Sequence, residues 1–324
     1  MKKYDVVALG ELLIDLTQNG LSSQGNPVLE ANPGGAPCNV LALLSKLGHQ
    51  TGFIGKVGCD GFGHQLKEAL EETGIAVEGL RWDEYVHTTL AVVHTLPGGD
   101  RDFSFYRNPG ADMCLKAEEV DGDMIRNSSI FHFGTLSMTD EPVRSATYRA
   151  ISVAEEAGVL RSFDPNLRVP LWPDLETAKE QVLYGMAHCD ILKISDNEIQ
   201  WLTEEADFDA GIRWIRERFP KIRLILLSLG RDGSRAYSGE NMAEVPAFTC
   251  VHAIETTGAG DTFFGGILHH VLNWGLRTYS QAELREMLSF ANAAAAIITT
   301  KKGALRVMPT EADIHTLMEK QPGK

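Results

Sequence analysis

The chain has 324 residues, 44% of them hydrophobic and 23% charged, an ordinary globular composition that excludes disordered, collagen-like and coiled-coil proteins. Its 30 Lys and Arg stand against 44 Asp and Glu, and the net charge of −14 opposes non-specific attraction to nucleic acid or to an anionic membrane. Any anionic ligand must be met by local groups.

The first strand is expected over 5–9; Asp5, Glu11 and Asp15 interrupt the apolar stretch there, which spoils it as a signal-peptide core. After Pro37, Val40, Leu43, Leu44 and Leu47 fall at i, i+3, i+4 and i+7 and the pattern stops at Gly48, as in an amphipathic helix with a glycine stop. A strand over 52–57 follows. Residues 88–96 and 101–107 read as two strands around the turn Pro97-Gly98-Gly99-Asp100. In the second, alternation puts Phe103, Phe105 and Arg107 on one face and Asp102, Ser104 and Tyr106 on the other. A hairpin with aromatics on both faces needs cover, either as a lid over a site or as a dimer contact. Further strands are expected over 130–136, 159–163, 190–194 and 224–228, and a late helix over 280–299.

This alternation of strands and helices predicts an α/β fold, a mainly parallel sheet covered by helices on both faces, and no long linker divides the chain. The most apolar window, 293–298, is far short of the roughly 20 residues that cross a bilayer. The five cysteines are scattered and never spaced C-x-x-C, so neither a disulfide framework nor a zinc site is indicated. A reducing, cytoplasmic compartment is the expectation. His132, between two phenylalanines, reads as a strand histidine, and His269 and His270 form no metal spacing.

The most informative stretch is Glu255-Thr256-Thr257-Gly258-Ala259-Gly260-Asp261-Thr262, followed by the apolar start of a helix. Small residues let backbone N–H groups converge, and a helix N-terminus with bare amides attracts phosphate. Asp261 has two readings: a helix cap worth about 1 kcal/mol, or a general base beside an anion hole.

Gly258-Ala259-Gly260-Asp261, with Gly34-Gly35 and Asn39 upstream, resembles the ribokinase-like, or pfkB, carbohydrate kinases from about Tyr4 to Pro309. The resemblance implies a three-layer α/β/α ribokinase-like fold in one domain over 1–324, a small β lid with strands within 12–33 and 85–110, and ATP-dependent phosphorylation of a sugar hydroxyl; the chain carries no Walker A sequence. It assigns Asp15, Gly34, Gly35 and Asn39 to the sugar. Ala36 stands where ribokinase has Lys, which counts against ribose. Residues 103–107 and Asp164-Pro165-Asn166-Leu167-Arg168 are most similar to fructokinases and also resemble 2-keto-3-deoxygluconate kinases. The resemblance therefore implies that Phe105, Arg107 and Arg168 meet the substrate, with fructose converted to fructose 6-phosphate. The alternatives are 2-keto-3-deoxygluconate or another sugar or nucleoside acceptor, and an idle sugar sensor.

For ATP, the resemblance assigns Asp164, Asn166, Lys193, Ser195, Ser228, Gly230, Gly233 and Asn292, with Glu198 organising Mg²⁺ through water. Ser195 stands where many relatives have Asn. A K⁺ site would draw on Glu255, Thr257, Ile298, Lys301 and Gly303. A homodimer through the β lid is a further expectation; nucleic acid and membrane are not expected partners.

Overall fold

The computed structural model describes residues 2–95 and 101–320. The expected turn at 97–100 lies outside them, as does Leu96.

Nine strands form the central sheet. They are β1 (Tyr4–Leu9), β4 (Thr51–Gly58), β5 (Ile75–Asp83), β8 (Ser128–Gly134), β9 (Leu160–Asp164), β10 (Ile191–Ser195), β11 (Leu224–Ser228), β12 (Ser234–Ser238) and β13 (Asn241–Val245). Their order is β13-β12-β11-β10-β9-β8-β1-β4-β5. All neighbours from β11 to β5 pair in parallel, and β12 and β13 complete the edge as an antiparallel hairpin. Helices cover both faces, each over its own apolar cluster: Leu43, Phe264 and Leu288 on one side, Phe133, Ile151 and Val182 on the other. This burial on both faces is why the parallel strands read as continuous apolar runs.

The expected strand over 130–136 ends at Gly134, because Leu136 turns into a short 3₁₀ segment, Leu136–Met138. The helix expected over 280–299 spans Gln281–Ile298: Ser280 is its cap, in a reciprocal box with Glu283. The helix after Gly35 spans Ala36–Lys46, and Gly48 beyond it takes a φ of 89°.

A second sheet, ordered β3-β2-β6-β7, consists of β2 (Leu13–Leu21), β3 (Pro27–Gly34), β6 (Leu90–Thr95) and β7 (Arg101–Tyr106). β7 ends at Tyr106, so strand alternation does not govern Arg107. The strand order reverses at β1, where β4 lies on one side and β8 on the other. In open α/β sheets the crevice outside the carboxyl ends of strands at such a switch point is where ligands bind. The chain leaves β1 toward that crevice at Gly10-Glu11 and enters the lid at Leu13.

Candidate active site

The helix Ala259–Trp274 starts in this crevice. Gly258 precedes it with a φ of 76°, and a Cβ there would lie 2.9 Å from Ala304 Cβ, so both the backbone conformation and the space favour glycine. The Ala259 amide donates to Thr256 O at 3.2 Å. Gly260 and Asp261 are the first-turn amides that helix geometry leaves without an intrahelical partner.

Asp261 is the third residue of this helix, and the helix has no side-chain cap. The cap reading is therefore corrected: the carboxylate turns away from its own backbone and accepts a hydrogen bond from Asn39 Nδ2 at 2.8 Å. Asp261 is 8% exposed, and burial raises its carboxyl above the ordinary value against the Asn39 bond and the charges of Lys193 and Arg168. Asn39, which the resemblance assigns to the sugar, is buried in the helix Ala36–Lys46, and its Oδ1 has no hydrogen-bond partner among the described residues.

Asp261 and Asn39 border a cavity of about 340 Å³ whose wall also includes Glu11, Asp15, Gly35 and Phe105. Asp15 lies opposite Asn32 in the β2–β3 pairing, and a Cβ on Gly34 would come within 2.3 Å of Asp15 Oδ2. Gly34 thus leaves room for that carboxylate. Glu11 is 3% exposed, accepts the Ala36 amide at 2.8 Å, and is pushed by burial to about 7.

A second cavity, of about 650 Å³, is bordered by Ser195, Glu198, Trp201, Ser228, Gly230, Gly233 and Asn292. The two cavities share Asn166, Arg168, Lys193 and Gly260 as walls. Lys193 Nζ donates to both Asp164 oxygens, at 2.9 and 3.1 Å, and a Cβ on Gly260 would sit 3.3 Å from it. Burial works against the Lys193 charge, but the carboxylates of Asp164, Glu198 and Asp261 outweigh it and raise its pKa. A fixed cation therefore stands beside the helix N-terminus where the cavities join. Asn166, in the turn after β9, adopts a φ of 45°, which Asn tolerates better than most residues.

Glu198 accepts the Leu167 amide at 2.8 Å and the Ser195 amide and hydroxyl at 2.8 and 2.7 Å. These donors and Lys193 hold it ionised against burial. Glu198 thus ties the 164–168 turn to the helix that Ser195 caps. Asn292 donates to the Val245 and Pro246 carbonyls and accepts from Ser234 Oγ, which fixes the β12–β13 hairpin over the second cavity. Gly233 is required there, since a Cβ would lie 2.2 Å from Val245 O.

Arg107 is placed differently from the expectation. Its side chain is 2% exposed and donates to Asp112 at 2.7 Å, Thr139 at 3.0 Å and Leu136 O at 2.9 Å, and it does not border the Asp261 cavity. It anchors the end of β7 to the main domain, while Phe105 reaches the cavity wall. Glu11 and Asp112 carried no sequence signal as site residues, because a lone carboxylate after a strand or in a 3₁₀ turn has no periodicity to mark it.

Among the residues named for K⁺, Glu255 is buried and accepts the Gly303 amide at 3.2 Å, and the Ile254 and Glu255 amides both donate to Thr299 O. The segments around 255 and 299–303 therefore meet. Lys301 Nζ turns to Val307 O at 3.4 Å. Among the described residues no His/Cys/Asp/Glu cluster of metal-binding geometry occurs, and no helix is long and apolar enough to cross a membrane. His132 sits in β8 with Nδ1 on Ser162 Oγ, and burial lowers its pKa to about 3.

Comparison with family models matches residues 3–311 to the pfkB family carbohydrate kinases. The chain belongs to this family. It is 41% identical over 319 residues to fructokinase-1 of Zea mays, covering 97% of this chain and 98% of that one. In three dimensions it is similar to a fructokinase from Xylella fastidiosa with bound ATP, at a TM-score of 0.89 and 30% identity, covering 99% of both chains. A fructokinase double mutant from Vibrio cholerae O395, in a fructose, ADP and potassium ion bound form, aligns at a TM-score of 0.85 and 28% identity over 98% of this chain and 99% of that one. The family member described here is an ATP-dependent sugar kinase, a phosphotransferase with the ribokinase-like fold.

Proposed function

We propose that the chain phosphorylates fructose to fructose 6-phosphate with ATP. The observation that carries this reading is the character of the Asp261 cavity. Three carboxyl groups, Glu11, Asp15 and Asp261, border it with Asn39; of the cations on the same wall, Lys193 is held by Asp164 and Arg168 is shared with the second cavity, while Arg107 is engaged by Asp112. Such a wall accepts the hydroxyls of a neutral polyol and disfavours the carboxylate of 2-keto-3-deoxygluconate.

In this reading Asp261 takes the proton of the attacking hydroxyl, which then forms the new bond to the γ-phosphorus as the bond to the ADP oxygen breaks. The amides of Gly260 and Asp261, with Lys193 and Arg168, meet the charge that develops between the cavities. The second cavity would take the nucleotide, and Glu198 at its wall would help hold Mg²⁺ through water, the ion neutralising phosphate charge when bound. An oxygen-ligated K⁺ between Glu255 and the backbone of Thr257, Ile298 and Gly303 fits the meeting of those segments, and supports faster turnover in K⁺ than in Na⁺.

The five free cysteines suit a reducing cytoplasm. A second copy of the chain covers the lid, whose strands expose Leu21, Val28, Leu29 and Tyr106. The direct test is ADP release with fructose, ribose, adenosine, fructose 6-phosphate and 2-keto-3-deoxygluconate as acceptors. Fructose is expected to give the highest kcat/KM. Preference for 2-keto-3-deoxygluconate would transfer the assignment to that acceptor, and release stimulated by none of them would favour a sensor.

A further inference from the structure

Glu11 takes no part in the proposed phosphoryl transfer, yet its carboxyl group is buried at the wall of the sugar cavity, where a polar group is costly unless something pairs with it. What holds it is the start of the next helix. Ala36–Lys46 begins after Gly35 with no side-chain cap of its own and no acidic residue in its first turn. Glu11 reaches it from the other end of the lid's first hairpin and accepts the amide of its first residue, Ala36, at 2.8 Å. The backbone does the same work: a Cβ on Gly35, whose φ is 126°, would lie 2.4 Å from Glu11 O. Both parts of Glu11 therefore fix where this helix starts. Asn39 is its fourth residue, and Asn39 donates to Asp261.

We infer that Glu11 is a positioning residue of the sugar site, a cap supplied from outside the helix that sets the Gly35–Ala36 wall and, through Asn39, the orientation of Asp261. A carboxylate suits this place because the unpaired amides and the dipole of a helix start favour negative charge. The inference rests on the kinase reading, and its test separates the two.

The experiment compares Glu11→Ala and Glu11→Gln with the unmodified protein by steady-state kinetics with fructose and ATP, and by fructose affinity from calorimetry. Turnover by the unmodified protein tests the kinase reading alone; calorimetry reports on Glu11 even without turnover. Loss of a hydrogen bond to a charged group predicts that Glu11→Ala weakens fructose binding and raises fructose KM about tenfold or more, with ATP KM unchanged. Glu11→Gln, whose amide oxygen can still accept from Ala36, is expected to restore most of that loss. Equal losses for both ligands, a Gln variant as poor as Ala, or unchanged sugar affinity in both would overturn the inference. Should Glu11→Ala not fold, Glu11→Asp takes its place, its carboxylate one methylene short of Ala36. A raised fructose KM then supports the role, and an unchanged one overturns it.

Discussion

Asn39 shows how much one side chain decides in this site. Its Nδ2 donates to Asp261 while the residue itself borders the cavity, so a single amide ties the proposed base to the helix Ala36–Lys46. The Asn39 bond lowers the Asp261 pKa while burial raises it, and burial wins. A base must be ionised to act, so activity is lost as pH falls through the Asp261 pKa, and the acid limb of kcat lies above the ordinary Asp range. Asn39→Leu removes the opposing bond; a kcat–pH profile should show the limb displaced to higher pH and fructose KM raised. A limb that stays in place would separate Asn39 from the base. Residues of this kind were legible in sequence because glycines and small residues surround them in an order that resembles the family. Arg107 was assigned to the substrate by resemblance, whereas its guanidinium is taken by Asp112, which sits in a short turn without a pattern to announce it.

At the scale of elements, Glu198 matters more as a clasp than its sequence position suggests. It closes the capping box of the helix Asp196–Thr203 and, through the Leu167 amide, holds the turn that carries Asn166 and Arg168 into both cavities. Glu198→Gln would point an NH₂ donor at amide donors, so we expect a loss of about 1–3 kcal/mol of stability in thermal unfolding together with a raised Mg²⁺ requirement. A change in neither would remove Glu198 from both roles. The six parallel strands read from sequence were legible because they are buried on both faces and lie between helices. β5 and β13 were not, since their edge positions leave mixed patterns such as Asn241–Val245, where buried Ala243 stands among more exposed neighbours, and β12, though flanked on both sides, carries the polar Ser234, Arg235 and Ser238 that break an apolar run.

Across the whole molecule, the two sheets have different tasks: the large one carries the proposed phosphoryl machinery on its strand ends, and the small one lends Phe105 and Asp15 to the wall of the proposed sugar cavity. The lid's exposed Leu21, Val28, Leu29 and Tyr106 lead us to expect a dimer in sedimentation velocity that Leu29→Lys converts to monomer; a native monomer at all concentrations would end that proposal. The proposed chemistry converges on Asp261, third in its helix, buried, and at the wall of the first cavity next to Gly260, which both cavities share. Turnover of Asp261→Asn is therefore the most direct measurement. Asn conserves the shape and can still accept from Asn39, so the account predicts a folded variant that binds ATP and fructose but turns over about 10²- to 10⁴-fold more slowly. A folded variant with near-normal turnover would contradict it.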